Sequence, residues 1–417
     1  MKKVLYLFIS LLMVSIASRS QDLECFVLSP PEIILQKVTK ISILDFTGEK
    51  GKQLSELMVS ELFSENRGIK TLGGGLFQST REGKTFQKGG RTNIYTVVER
   101  SQLESVLAEQ NLSNTGIVDD AQAASIGQVL GIDAVILGSV SYSYKDEPSQ
   151  NPMVDLTGKT YTQYCTKRTV TAEARMKILD VTTGKIIGTK DKRSSTSESK
   201  CDDKRSGLTP VSAMADQCMK DLAFQLVNYF TPYFTYSKFE FEKVKNKDFK
   251  DKAKEAKEHI ENGDLSKAFP IFKAIYDADP YNASAAKNLG CLYDIVGNYE
   301  KAREYYLIAA EIDPSEYNDE VKKVEREIEY DQVLKSIGVV IEKQDYAERS
   351  DALAEKVKTR GNKNDRYEVK KEADAGSETL IKIPGDTEFT LIETKGEWYL
   401  IKLLGGKQGY ISKEFVR

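Results

Sequence analysis

The sequence predicts a multidomain chain in which an α/β domain, an α domain and a β domain follow one another. The stretch from Asn93 to Val140 shows strand, helix, helix and strand patterns in turn, which is typical of a layered α/β domain. Further along, Gly263 and its surroundings recur at Gly297, a 34-residue period typical of paired helices. From Arg366 to Arg417, short β-branched runs alternate with glycine turns, which favours a small β domain.

Bulk composition bounds the classes of function. The 417 residues allow about two to four domains with sizeable cores. Lysine and arginine total 60 against 63 aspartate and glutamate, so the formal net charge is only −3. This balance gives no overall field towards nucleic acid, and we expect no nucleic-acid partner. The five cysteines form no C-x-x-C pair and His259 is the single histidine, which argues against a zinc site.

The N-terminus has the pattern of a secretory signal peptide over residues 1–20. Lys2 and Lys3 precede an apolar run from Val4 to Ile16, and small polar residues follow it. We therefore expect an exported protein, in a compartment that permits disulfides. A lipid-anchor motif needs small residues directly before its cysteine, whereas Cys25 follows leucine and glutamate, so we expect no lipid anchor there.

The α/β pattern can be placed residue by residue. The β-branched run from Ile94 to Val98 predicts a strand. Ser101 with Glu104 forms a capping box that opens a helix, and Gly131 suits the left-handed position that ends a second helix. The apolar run that starts at Ala134 predicts a strand buried on both faces.

This stretch resembles the family of the curli secretion channel CsgG and its relatives, which include penicillin-binding-protein activators. The resemblance lies in the phrase VVERSQLESVLAEQ, a spacer, a helix of small residues and the phrase GIDAVILGSV. It covers roughly residues 38–233. It implies a layered α/β domain, a place at the cell envelope and homo-oligomers formed through this domain. CsgG is lipidated, and the absence of a lipid-anchor motif at Cys25 departs from it.

Other elements of the α/β domain follow from periodicity. Lys40 to Phe46 reads as its first strand, and a helix follows whose apolar stripe runs from Leu54 to Phe63. Arg67 to Arg91 is glycine-rich and basic, and we expect it to be irregular. Ser141 to Thr166 reads as a polar insertion, and Leu208 to Phe230 as a long amphipathic helix.

A hairpin is predicted around Thr183. Val170 to Ile178 alternates apolar and polar residues, VTTG supplies the turn, and Lys185 to Lys190 returns. Cys165 and Cys201 lie equally far from Thr183, so this register places them opposite each other, within reach of a disulfide. The alternative is two separate free cysteines in exported loops.

Residues 249–337 resemble tetratricopeptide repeats followed by a capping helix from Tyr317 to Ile337. The second copy has small and aromatic residues at the family positions, among them Gly290 and Tyr306. The first copy departs from the pattern, and Pro270 is expected to interrupt its second helix.

The resemblance implies a groove, built from the first helix of each repeat, in which a peptide binds. The candidate peptide-binding residues on these helices are Lys252, Lys254, Lys257, Asn288 and Tyr293. The lysines favour an acidic or carboxylate-bearing peptide. The alternative is that they only solvate this face of the helices.

Residues 341–365 are charged and read as a linker that is helical in part. Residues 366–417 resemble a bacterial SH3-like barrel, because Trp398 and Tyr399 precede Gly409 and Tyr410 at the family positions. Such a domain implies contact with a peptide or with the cell wall, and Tyr410 is the candidate binding residue at its rim. The usual Asn-x-Arg-x-Gly phrase is missing, which puts ligand binding at that end in doubt.

No catalytic constellation is visible in the sequence. It contains neither a G-x-S-x-G elbow nor an H-E-x-x-H motif, and no residue pairs with His259 as a nucleophile. We therefore expect no enzyme activity and no cofactor.

Three hypotheses of function follow. The first is a non-catalytic scaffold or an assembly or secretion accessory protein, periplasmic or outer-membrane-associated in a Gram-negative envelope, that binds other envelope proteins or peptides. The second is a CsgG-like component of an outer-membrane secretion pore, which needs hairpins with an apolar face towards lipid. The third is an unrecognised hydrolase.

Overall fold

The computed structural model describes residues 21–417 except 74–79, 99–127, 129–130, 202–206, 245, 348–353 and 404–406. The predicted signal peptide lies outside these residues, and so, apart from Gln128, do the two helices predicted after Ser101. The described strands are β1 (Gln21–Ser29), β2 (Lys40–Ile43), β3 (Thr96–Val97), β4 (Ala134–Val154), β5 (Thr160–Asp180), β6 (Ile186–Cys201), β7 (Tyr233–Phe241), β8 (Lys356–Lys358), β9 (Arg366–Lys370), β10 (Thr379–Pro384), β11 (Glu388–Lys395), β12 (Trp398–Lys402) and β13 (Gln408–Ser412). The described α-helices are α1 (Gly51–Phe63), α2 (Val211–Val227), α3 (Lys250–Glu261), α4 (Leu265–Ala278), α5 (Ala283–Ile295), α6 (Tyr299–Ile312) and α7 (Pro314–Ser336).

The α/β part is built on a five-stranded sheet in the order β3-β2-β4-β5-β6. β2 pairs in parallel with β3 and β4, whereas β4, β5 and β6 are antiparallel. Helices α1 and α2 pack against each other and share one core with this sheet, as their predicted apolar stripes require. Leu54, Met58 and Leu62 of α1 are buried, but Phe63 at the end of the predicted stripe is 57% exposed.

The predicted polar insertion at Ser141–Thr166 is exposed, but its strand pairing was not predicted: β4 and β5 continue through it as a paired ribbon. The pairing is unbroken from Ala134 opposite Asp180 to Val154 opposite Thr160. Beyond Tyr144 nearly every residue of β4 is exposed to water. The two strands pair with each other along the ribbon, water can satisfy their outward backbone groups, and the threonines favour extended backbone, so it needs no apolar alternation to form. Because this alternation is missing, the sequence pattern did not predict the ribbon.

A second ribbon, which the sequence analysis missed, joins the two ends of the α/β part. β1 pairs with β7 in antiparallel register, with Gln21 opposite Phe241 and Ser29 opposite Tyr233. Most of β1 from Leu23 to Leu28 is buried, and these residues share one core with helices α3 to α7. The helices therefore pack directly on a ribbon of the α/β part.

Helices α3 to α7 follow one another, and each packs against the next. The predicted interruption at Pro270 does not occur, because α4 runs unbroken through it with Phe269 and Phe272 buried on either side. The small residue predicted at position 290 is required, since a Cβ atom there would lie 2.5 Å from the ring of Tyr306. The expected capping helix corresponds to α7.

The C-terminal part is a six-stranded antiparallel sheet in the order β10-β9-β13-β12-β11-β8. Its core contains Val369, Ile401 and Ile411, all fully buried. The strands predicted from Glu378 onwards are present, but β8 and β10 are not paired with each other and the sheet is not closed. The described residues of the linker include β8 and no helix, and its residues 348–353 lie outside the described residues, so the partial helix stays a prediction.

Candidate functional site

The face formed by α3, α5 and α7 holds a segment of the same chain, residues 239–242 at the end of β7. We call these residues the occupying segment. Asn288 of α5 binds its backbone twice: the side-chain Oδ1 accepts from the N–H of Glu242 at 2.9 Å, and Nδ2 donates to its carbonyl at 3.0 Å. Asn288 is fully buried. This pair of bonds recognises backbone rather than side chain, so it fixes the position of an extended strand.

Two buried lysines bind two further backbone carbonyls of the occupying segment. Lys257 Nζ donates to the carbonyl of Phe241 at 2.6 Å, and Lys287 Nζ donates to that of Glu240. Burial, and then the nearby Lys243 and Lys287, lower the pKa of Lys257 to about 8. Both lysines thus serve as buried donors to this strand.

Side chains of the occupying segment complete the contact. The carboxylate of Glu242 accepts from the Tyr317 hydroxyl at 2.7 Å and lies 3.8 Å from Lys287 Nζ. Phe241 stacks on Phe272 with ring centroids 6.4 Å apart. Phe239 lies under the ammonium of Lys323, 4.1 Å from its ring centroid, which is a cation–π contact. Alternating Phe and Glu therefore place aromatic rings in the core and carboxylates near lysine and tyrosine.

Only some of the residues predicted to bind a peptide contact the occupying segment. Lys257 and Asn288 bind the chain's own backbone, and Tyr293 is buried against Phe269, Tyr305 and Tyr346. Lys257 and Asn288 are thus already engaged with backbone groups of the occupying segment. Lys252 and Lys254 form ion pairs with Glu255 at 3.1 Å and Glu258 at 3.7 Å.

Tyr410 lies apart from the occupied face, on strand β13, where it pairs with Leu400 of β12. The ammonium of Lys395 is 6.0 Å from its ring centroid. The structure does not bring Tyr410 together with the other predicted binding residues. Its role in binding stays a prediction.

A cluster of buried charges lies behind the occupied face, between α5 and α7. Asp294 is 1% exposed, and its carboxylate accepts from Lys323 and from the Tyr306 hydroxyl, both at 3.2 Å. Burial, followed by the neighbouring Asp294, raises the pKa of Glu327 to about 7. Asp331 is also buried, and its Oδ1 atom has no hydrogen-bond partner, whereas Oδ2 pairs with Lys335. No group of three or more metal-binding side chains occurs among the described residues.

Cys165 and Cys201 form a disulfide across the paired strands β5 and β6. They are directly opposite in the register, with Cα atoms 4.0 Å apart and a sequence separation of 36. The bond ties the end of β6 to the exposed ribbon. Cys25, Cys218 and Cys291 are buried free thiols.

Arg67 is a structural residue that the sequence analysis missed. It is 2% exposed, and its guanidinium donates to Asn228 Oδ1 at 2.9 Å and to the Glu61 carbonyl at 2.8 Å. It also donates to Thr231 and to the carbonyl of Pro232. Burial lowers its pKa to about 10. Arg67 thereby connects the end of α1, the end of α2 and the start of β7, which positions the strand that ends in the occupying segment.

A family model described as the curli production assembly/transport component CsgG matches residues 87–203, less than half of the chain. The match spans β3 to β6 and includes the exposed ribbon. No curated protein matches the chain. The fold and this match define an α/β domain similar to CsgG, joined to a helical part and a β part. Among the described residues, no helix has both the length and the apolar character needed to cross a bilayer.

Several solved structures are similar to part of the chain. The LpoB C-terminal domain from Salmonella enterica is 13% identical, covers 38% of this chain and 86% of its own, and has a TM-score of 0.21. Lipoprotein GNA1162 from Neisseria meningitidis is 14% identical, covers 46% and 99%, and scores 0.22. A PelC L103M dodecamer from Paraburkholderia phytofirmans is 11% identical, covers 48% and 98%, and scores 0.17. At these identities and TM-scores the likenesses carry no argument about function.

Proposed function

We propose that this protein is a non-catalytic accessory protein of the Gram-negative cell envelope that acts by binding other envelope proteins or peptides. In this proposal the α/β part is a CsgG-like domain, helices α3 to α6 are two tetratricopeptide repeats with α7 as their cap, and the C-terminal sheet is an SH3-like domain. The observation that carries it is the CsgG match over residues 87–203. Modules of these types generally present surfaces for other chains, which is an argument from fold analogy.

The contacts at the face formed by α3, α5 and α7 bear on where partners bind. A segment of the same chain is held there at a high effective concentration, so a separate peptide competes poorly for the same groups. In this proposal the repeats therefore bind the end of β7 and so fix the α/β domain to the helices. Partner contacts fall on surfaces that remain exposed, namely the β4–β5 ribbon and the C-terminal sheet.

Fractionation of cells that export the full chain tests the proposal. We expect release by osmotic shock, and discrete adducts with other envelope proteins after treatment of whole cells with a lysine-reactive cross-linker. A chain that stays with membranes through high-salt washing contradicts the periplasmic form of the proposal. A chain that is released but forms no adduct contradicts its action through protein contacts.

A pore component is the second candidate, and the ribbon is the observation that favours it. On one of its faces Tyr144, Tyr164 and Val154 are 59%, 55% and 64% exposed, and this face also carries the ion pair of Asp146 and Arg168. The opposite face carries Lys145, Glu147 and Lys167 together with exposed Met153 and Tyr161. Trypsin treatment of permeabilised cells separates the candidates: insertion into lipid protects the ribbon lysines, whereas an accessory protein is cleaved there.

A further inference from the structure

A groove of about 1010 Å³ lies in the C-terminal sheet, between the edge strand β10 and the neighbouring ends of β11, β12 and β13. Its apolar wall includes Leu380, Ile381, Phe389 and Leu403. The groove is separate from Tyr410 and from the face of the helices that holds residues 239–242. None of the interactions described above uses it.

Strand β10, which lines this groove, contains a β-bulge. The register between β10 and β9 shifts between Thr379 and Ile381, which leaves Leu380 as the extra residue. Leu380 and Ile381 both line the groove, and they are 44% and 49% exposed. Apolar side chains presented in this way gain free energy when a partner covers them.

The edge of β10 is poorly suited to pairing with another strand. Gly385 N–H donates towards β9, to the Asp365 carbonyl at 3.1 Å, whereas the Pro384 carbonyl accepts from Thr359 at 2.9 Å on the other side. Backbone groups alternate along a strand, so Lys382 presents its backbone on the open edge. An edge with a bulge, a lysine and a proline resists strand addition. A partner therefore inserts side chains into the groove instead of extending the sheet.

Charge on the lining of the groove selects the partner. Lys382, Lys402 and Lys407 line it, against the single carboxylate of Glu388. Lys382 also pairs with Glu368 at 3.1 Å. The ammonium of Lys407 beside an apolar wall favours an apolar side chain next to a carboxylate.

We propose that this groove is a docking site for an acidic peptide segment whose aliphatic or aromatic side chain inserts between β10 and β11. This docking site rests on the proposed function in one respect, that the chain acts through protein contacts. The docking site and the proposed function are tested separately, because cell fractionation uses no peptide and the peptide-binding assay uses the purified full chain.

Fluorescence anisotropy with two labelled hexapeptides tests the docking site: Glu-Leu-Phe-Glu-Leu-Glu, and the same sequence with lysine in place of glutamate. We expect the acidic peptide to bind the full chain at least about tenfold more tightly than the basic one, and Ile381→Glu to weaken its binding about tenfold or more. Ile392→Glu is the matched control, since Ile392 lies at a bulge of β11, is 43% exposed and does not line the groove. This variant should bind within about twofold of the unmodified chain.

Charge reversal at Lys407 provides a second variant that leaves the apolar wall intact. We expect Lys407→Glu to weaken acidic-peptide binding while the basic peptide gains affinity. Equal binding of both peptides, no binding of the acidic peptide, or equal loss in the Ile381 and Ile392 variants overturns the proposal. Circular dichroism of each variant confirms that the sheet is intact before binding is compared.

Discussion

The side-chain amide of Asn288 forms two hydrogen bonds with the backbone of Glu242, at 2.9 Å and 3.0 Å. The two residues are 46 positions apart and belong to different parts of the chain: Asn288 lies on helix α5 and Glu242 directly follows β7. Through this contact and those of Lys257 and Lys287, the helices bind a segment of their own chain.

Asn288→Ala should destabilise the protein, because it leaves the N–H and carbonyl of Glu242 buried without partners. We expect a loss of about 2–4 kcal/mol in the free energy of unfolding, measured by urea titration. The matched control is Asn262→Ala, whose amide donates to a helix carbonyl at an exposed position. It should cost less than about 0.5 kcal/mol. Equal costs for both variants would show that the bonds to Glu242 do not stabilise the fold.

Stability should fall as the pH rises from about 4.5 to about 7 because of Glu327. Its pKa in the folded protein is raised to about 7 from an ordinary 4.5, so within this window the folded state holds a proton that the unfolded state has lost. Glu327 makes no contribution to the pH dependence below this window, and above it the loss of stability that it causes is constant. Glu327→Gln should flatten this part of the curve and raise the melting temperature at pH 8. Glu329→Gln, an exposed position on the same helix, is the control. An unchanged pH profile in Glu327→Gln would contradict the assignment.

Peptide mapping without reduction should recover Cys165 and Cys201 in one linked fragment. Closing a loop with a sequence separation of 36 stabilises the fold by about 3–4 kcal/mol through lost entropy of the unfolded chain. Cys165→Ser with Cys201→Ser should lower stability by that order. Cys25, Cys218 and Cys291 should react with a thiol reagent only after denaturation. Free thiols at positions 165 and 201 in the exported protein would rule the bridge out.

Arg67→Met should be among the most damaging single changes in the α/β part. It removes the donors that satisfy the buried carbonyls of Glu61 and Pro232 together with the side chains of Asn228 and Thr231. We expect a loss of about 3 kcal/mol or more, since several buried acceptors lose their partners at once. Arg193→Met, at an exposed position on β6, should be nearly neutral. A small effect at Arg67 would mean that water replaces its contacts.

Local patterns predicted much of this fold, and long-range contacts account for what they missed. The apolar stripe of α1 and the alternation of β5 each follow a regular period in the sequence. The turn at Gly184 needs a positive φ angle, which glycine adopts readily. Neighbouring residues alone therefore predict these three elements. The ribbon beyond Tyr144 lacks an apolar period because both its faces are exposed, so it resembled a polar insertion.

The candidate site shows the same limit. Lys257 and Asn288 were identified from their helices, but the groups that they bind are backbone atoms of Phe241 and Glu242. An acidic peptide as the ligand stays a prediction. The sequence analysis did not connect Glu242 with these two residues, because Glu242 lies outside their helices, 46 positions before Asn288. The one local signal was the alternation of Phe239 to Glu242, which a strand with one buried face produces.

Photo-cross-linking in cells that export the full chain tests the central claim most directly, that the face formed by α3, α5 and α7 binds its own chain while partners bind elsewhere. Two tyrosines can be replaced one at a time by p-benzoylphenylalanine: Tyr317, 3% exposed and bonded to Glu242, and Tyr164 on the exposed ribbon. The account predicts that position 317 labels only residues near Glu242 of the same chain, whereas position 164 yields adducts with other envelope proteins. Adducts with other proteins from position 317, and none from position 164, would contradict it.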